Sequence, residues 1–116
     1  MNPLITSAFL AVSDVNVIIV DWRRTSSGSY TTSVRAVPDV GVHLANFLNF
    51  LFNTAGGNWN NVHLLGHSLG AHVVGNAGRA ARTRPQRITG QYFCCFNIFY
   101  HDTYYYTINI IFFYKT

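Results

Sequence analysis

Residues 62–79 read Val62-His63-Leu64-Leu65-Gly66-His67-Ser68-Leu69-Gly70-Ala71-His72-Val73-Val74-Gly75-Asn76-Ala77-Gly78-Arg79. The apolar run before Gly66 has the length and composition of a buried strand. From Leu69 to about Ala81 the small and apolar residues suit a helix. Ser68 therefore falls on a strand-to-helix turn inside a Gly-x-Ser-x-Gly pattern. That pattern alone is weak, but in this context it has the form of a nucleophile elbow. In such an elbow the residues two before and two after the serine must be small, and Gly66 and Gly70 meet that need. Ala71 and Gly75 are expected to keep the helix close to the sheet. The Ser68 hydroxyl would stand at a helix N-terminus, where free N–H groups and the helix dipole favour developing negative charge. The Leu69 N–H would be one oxyanion donor, a contribution of about 2.7–4 kcal/mol at the transition state.

Working outward, Val15-Asn16-Val17-Ile18-Ile19-Val20 is β-branched and apolar on both faces, as a buried parallel strand requires. It runs into Asp21-Trp22-Arg23-Arg24 and a polar loop containing Gly28. Pro38 suits a first helical position with Asp39 in the first turn. Val40, Leu44, Phe47, Leu48 and Leu51 then mark one helical face. Ala55-Gly56-Gly57-Asn58 stops that helix. Arg87-Ile88-Thr89 opens a third strand. Strands alternating with helices predict an α/β fold with a mostly parallel sheet. Near the N-terminus, Leu4, Ala8, Ala11 and Val12 predict an amphipathic helix. With no basic residue before them, they do not make a convincing signal peptide.

Composition narrows the chemistry. The 116 residues are 49% hydrophobic and only 10% charged, so a packed core is expected and disorder is not. There is no Glu, and the acids are Asp14, Asp21, Asp39 and Asp102. Half of the eight basic residues lie together as Arg79, Arg82, Arg84 and Arg87, which fits cations after a helix C-terminus better than a nucleic-acid surface. Cys94 and Cys95 are adjacent and do not suggest a mutual disulfide or a metal site. No metal, cofactor or nucleic-acid partner is expected.

The chain changes character after Gly90. Residues 91–116 hold five Phe, six Tyr, four Ile, two Asn and one Lys, 18 of 26 positions. Codons for those residues can be written with A and T alone, so the segment reads as translated non-coding sequence of doubtful origin. A membrane segment is interrupted by Asn97, His101, Asp102, Thr103, Thr107 and Asn109. A pair of aromatic-rich strands is the other reading. The expected organisation is a partial domain at 1–90 and this tail at 91–116.

Several of these stretches together resemble the pancreatic-type lipase family of animals, with wording most like its insect members. The resemblance is carried by residues 62–79, by NVIIVDW at 16–22, by the helix between them and by RITG at 87–90. It covers about residues 3–90 and implies a partial α/β-hydrolase fold, with strand, nucleophile elbow and helix at 62–81. It further implies a secreted serine ester hydrolase, a triacylglycerol lipase or phospholipase A1-like enzyme, meeting its lipid ester at a lipid–water interface. Ser68 is then the nucleophile and Leu69 the backbone oxyanion donor.

The family's triad Asp and His are both expected to be absent from this chain. Gln91-Tyr92 stands where the family continues into Leu-Asp-Pro, and the His would follow residue 116. An upstream His-Gly oxyanion motif would precede Met1, making the chain truncated at both ends. His67 is expected to point away from Ser68, His72 to pack on the sheet, and His43 and His63 to be partly buried structural residues. Asp21 closes a strand and is not assigned to the triad, and the adjacent His101-Asp102 pair cannot share one triad. Little activity and poor folding are expected of the chain alone. The alternatives are a catalytically dead homologue that binds lipid or a partner, and a membrane-attached fragment.

Overall fold

The computed structural model describes residues 3–91 and a strand at 110–114. In chain order the elements are helix α1 (Pro3–Val12), strand β1 (Asn16–Val20), helices α2 (Arg23–Ser26) and α3 (Tyr30–Ala55), strand β2 (Val62–His67), helix α4 (Leu69–Ala80), and strands β3 (Arg87–Gln91) and β4 (Ile110–Tyr114). A short 3-10 turn at Trp59–Asn61 leads into β2.

The four described strands form one sheet in the order β1-β4-β2-β3. β2 and β3 pair in parallel, from His63 opposite Arg87 to His67 opposite Gln91. β4 is antiparallel both to β1, with Val20 opposite Ile110, and to β2, with Leu65 opposite Ile111. β1, β2 and β3 therefore point the same way, as expected, but the sheet is mixed rather than mostly parallel. The reason is that β1 and β2 do not pair with each other, and a strand from the aromatic-rich segment lies between them. One part of that segment is thus a strand, and residues 92–109 lie outside the described residues. Among the described residues no helix is long and apolar enough to cross a membrane.

Burial along β2 alternates, with Val62, Leu64 and Gly66 buried and His63, Leu65 and His67 half-buried. This is the period of two expected where one sheet face carries the core. Above that face α3 supplies Val37, Leu44 and Leu48, and α4 supplies Val73, Val74 and Ala77. Fully burying an aliphatic side chain of this kind contributes roughly 1.5–3 kcal/mol. Trp22 and Trp59 close the cluster, and Phe52 meets Trp59 edge-on at 5.3 Å between ring centroids.

α3 begins eight residues before Pro38, not at it. The Ser29 hydroxyl accepts a hydrogen bond from the Thr32 N–H at 3.2 Å and caps the helix. Ser33, fully buried, donates to the carbonyls of Ser26 and Ser29, both at 3.2 Å. These bonds and the burial of Val37 carry the helix through a prolyl ring that interrupts the ladder. Pro38 lies on the solvent side, where the freed carbonyl can be hydrated. The helix stops as expected at Gly56, whose φ of 74° favours glycine.

Other expectations are corrected. Leu4, Ala8, Ala11 and Val12 are exposed on α1, and the half-buried side is Thr6 and Phe9. β1 is half-buried because it ends the sheet. Phe47 is 41% exposed. His72 is exposed on α4, and His43 is exposed on α3. A Cβ at Gly75 would meet nothing within 4 Å, so this glycine sets no approach. The approach is set at Gly41, where a Cβ would lie 2.5 Å from the Cβ of Asn76 and 3.0 Å from the Val73 carbonyl. Gly41→Ala should wedge α3 from α4 and destabilise the fold by about 1–3 kcal/mol in urea titration monitored by circular dichroism.

Candidate active site

The turn between β2 and α4 has a single residue, Ser68, with φ 55° and ψ −124°. It is the one non-glycine with positive φ among the described residues. Such a conformation costs on the order of 1–3 kcal/mol and persists only where its surroundings impose it. Here the surroundings do so. A Cβ at Gly66 would lie 2.2 Å from the Gly70 carbonyl oxygen and 2.7 Å from the Ala71 nitrogen. With a side chain at Gly66 the turn could not close. The Ser68 N–H donates to the Gln91 carbonyl at 2.9 Å, pinning the turn to the end of β3. The Ser68 carbonyl accepts from the Ala71 N–H at 3.0 Å.

Two serines occupy helix N-cap positions, and they are used differently. Ser29 caps α3 with its hydroxyl, whereas Ser68 makes no side-chain cap bond to α4. The half-buried Ser68 hydroxyl thus stands at the carboxyl edge of the sheet without the task such a serine usually performs. Leu69, 7% exposed, is the first residue of α4. Its N–H belongs to the first turn, whose amides have no intrahelical acceptor. The structure brings Gly66, Ser68, Leu69 and Gly70 into one turn.

The other titratable groups have local roles. His63 and Thr89 bond across β2 and β3, with Nε2 2.9 Å from Oγ1. Partial burial, and then the nearby Arg87 charge, lower the His63 pKa below the usual imidazole value. His67, next to Ser68, lies on the half-buried face of β2. Asp21 closes β1 and takes the Arg23 guanidinium, with Nη2 2.6 Å from Oδ2 and Nε 2.9 Å from Oδ1. The Arg23 bonds hold the Asp21 carboxyl at about 2. Gln91 ends β3 opposite His67, and Tyr92, in the stretch where the triad acid was sought, is outside the described residues. So are His101, Asp102, Cys94 and Cys95.

The sequence reading did not mark the open groove of ≈ 890 Å³ at the end of β1, whose walls include Trp22, Arg24, Val40, His43 and Phe47. Its residues come from two elements separated by the Thr25–Tyr30 stretch, so no single run of sequence displays it.

A strand, a strained serine and a helix define the class of α/β proteins that carry a reactive group on a sheet edge. The family model described as Lipase matches residues 2–92, and the chain belongs to that family. Membership brings the α/β-hydrolase fold, of which the described residues form part. The chain is 43% identical over 83 residues to pancreatic triacylglycerol lipase of Myocastor coypus, covering 72% of this chain and 18% of the relative. It is 48% identical over 79 residues to pancreatic lipase-related protein 2 of Rattus norvegicus, covering 68% and 17%. The Homo sapiens pancreatic triacylglycerol lipase is 44% identical over 79 residues, with the same two shares, 68% and 17%. The chain therefore spans less than a fifth of the length of these curated relatives. No solved structure matches it significantly.

Two measurements probe this geometry. Ser68→Gly should hold or raise the melting temperature because it relieves the positive φ, whereas Gly66→Ala should lower it sharply. The His63 pKa is lowered on folding, so the unfolded chain takes up that proton first, and His63 contributes a loss of stability as pH falls through 6.5. An NMR titration should place the His63 midpoint below 6.5, and His63→Gln should flatten the stability profile there.

Proposed function

We propose that Ser68 is the nucleophile of a carboxylic-ester hydrolase acting on lipid esters, either triacylglycerols or phospholipids at the A1 position, with the Leu69 N–H as an oxyanion donor. The observation that carries this reading is the Ser68 turn. A serine is held at φ 55° at the head of α4, and its hydroxyl is not spent on capping. Strain of this kind is retained where a reactive atom must project from the backbone. The names of the relatives, triacylglycerol lipases among them, support the lipid ester as substrate. The same likeness supports an extracellular enzyme working at a lipid–water interface.

The reaction follows from the turn. The Ser68 oxygen attacks the ester carbonyl, and the Leu69 N–H stabilises the resulting oxyanion. A general base must take the serine proton and return it to the leaving alcohol. Among the described residues, none of His43, His63 and His72 is assigned this task, because each sits in the structural or exposed setting given above. The chain of 116 residues is accordingly proposed to be inactive by itself. Loss of triad members from an intact serine hydrolase lowers kcat by about 10⁶. Residues 91–116 are proposed to differ in origin from residues 1–90, a division supported by their composition and by the end of the family match at residue 92.

The nucleophile is tested where an acid and a base are supplied. A chimera in which residues 16–90 replace the matching stretch of the Homo sapiens lipase should hydrolyse tributyrin. Ser68→Ala in that chimera should lower kcat by about 10⁶ while leaving the fold intact. Unchanged turnover in the variant would remove Ser68 from the mechanism. The 116-residue chain alone should leave p-nitrophenyl butyrate at the uncatalysed rate, and hydrolysis abolished by Ser68→Ala would refute its proposed inactivity.

A further inference from the structure

At the amino ends of β2 and β3, opposite the Ser68 edge, lies a polar cleft of ≈ 530 Å³. The six residues of β2 separate the two places by about 20 Å. One wall is a row of amides on α3, with Asn46, Asn49 and Asn53 at i, i+3 and i+7 and so on one helical face. Asparagine is a weak helix former, so the row is not there to support the helix. Asn58 and, from the loop after α4, Arg82 and Thr83 form the facing wall.

The hydrogen-bond inventory of this cleft is lopsided. Asn49 Oδ1 accepts the Trp59 indole N–H at 3.2 Å, and Asn58 Oδ1 accepts the Asn60 N–H at 2.9 Å. Those two carbonyls are committed to the protein, and each amide keeps its NH₂ as a donor. Arg82 adds a guanidinium, a group that can only donate. Asp21 and Arg23 form the ion pair seen among the described residues, and no acidic side chain lines the cleft. The site is therefore rich in donors and carries a positive charge that no lining carboxylate offsets. It suits a ligand that is rich in acceptors and anionic. Its volume exceeds that of a bare oxyanion, and the amides of Asn46 and Asn53 with the Thr83 hydroxyl offer donor–acceptor pairs of the kind that sugar hydroxyls match.

We propose that this cleft is a binding site for an anionic saccharide, its acidic group on Arg82 and the Asn49 and Asn58 amides and its hydroxyls on Asn46, Asn53 and Thr83. The site is independent of the Ser68 reading, since it shares no residue with that turn.

D-glucuronate is the first probe, added to the folded 116-residue chain and followed by the rise in melting temperature and by isothermal titration. Saturable binding of glucuronate is expected, with glucose and inorganic phosphate each about tenfold weaker or more, since each lacks one half of the match. Arg82→Gln, in an exposed loop, should weaken glucuronate by about tenfold or more, as loss of a hydrogen bond to a charged group does. Asn53→Leu should weaken glucuronate and leave phosphate unchanged. Phosphate binding as tightly as glucuronate would reduce the cleft to a bare oxyanion site and overturn the proposal. So would equal affinity for glucose, an unaffected Arg82→Gln, or no saturation at millimolar glucuronate.

Discussion

Between Gly66 and Gly70 the backbone passes so close to itself that a single methyl group has no place to go, since a Cβ would stand 2.2 Å from a carbonyl oxygen. This steric limit orders the rest of the molecule. It allows one residue to turn β2 directly into α4, and it forces that residue, Ser68, to positive φ. It also starts α4 directly over the buried face of β2, so that Val73, Val74 and Ala77 come down on Val62 and Leu64. α3 can then lie against α4 at Gly41, the second place where backbone contact excludes a side chain. Turn, helix placement and core are consequences of the same two close approaches.

The two ends of the sheet have acquired different chemistry from this plan. At the carboxyl end, strands stop and helices start, so amides and a helix dipole converge near Ser68. At the amino end, α3 stops, a 3-10 turn intervenes and α4 gives way to a loop, so side-chain amides and a guanidinium gather instead. Backbone donors mark one end and side-chain donors the other. The division follows from chain direction, because helices between parallel strands begin at one sheet edge and end at the other.

Much of this was legible in the residues. Gly66, Ser68 and Gly70 gave the turn because its steric demand is local and falls on residues within one short motif. The bounds of β2, α4 and the end of α3 followed from apolar runs and the Gly56-Gly57 stop. The start of α3 was not legible, because Pro38 and Asp39 carry a strong local start signal. That signal is overruled by the Ser29 cap and by the burial of Ser33 and Val37, both settled by packing. Gly75 was credited with an approach that belongs to Gly41, since helix-to-helix contact depends on which faces meet. The pairing of β4 was hidden for a similar reason, because strand partners are chosen by topology, and residues 110–114 carry no mark of their neighbours.

The place of β4 bears on how the molecule is made. β1 and β2 leave the ribosome early, yet in the finished sheet neither bonds to the other, and both bond to a strand near the end of the chain. Val17 waits for Phe113, and His63 waits for that same residue. During synthesis the inner edges of both strands remain unpaired, a condition that invites association between nascent chains. Folding that depends on contacts so distant in sequence is also slow. Assembly of this sheet is thus governed by its last strand, and a ribosome stalled before residue 110 would display two open edges facing each other across an empty position.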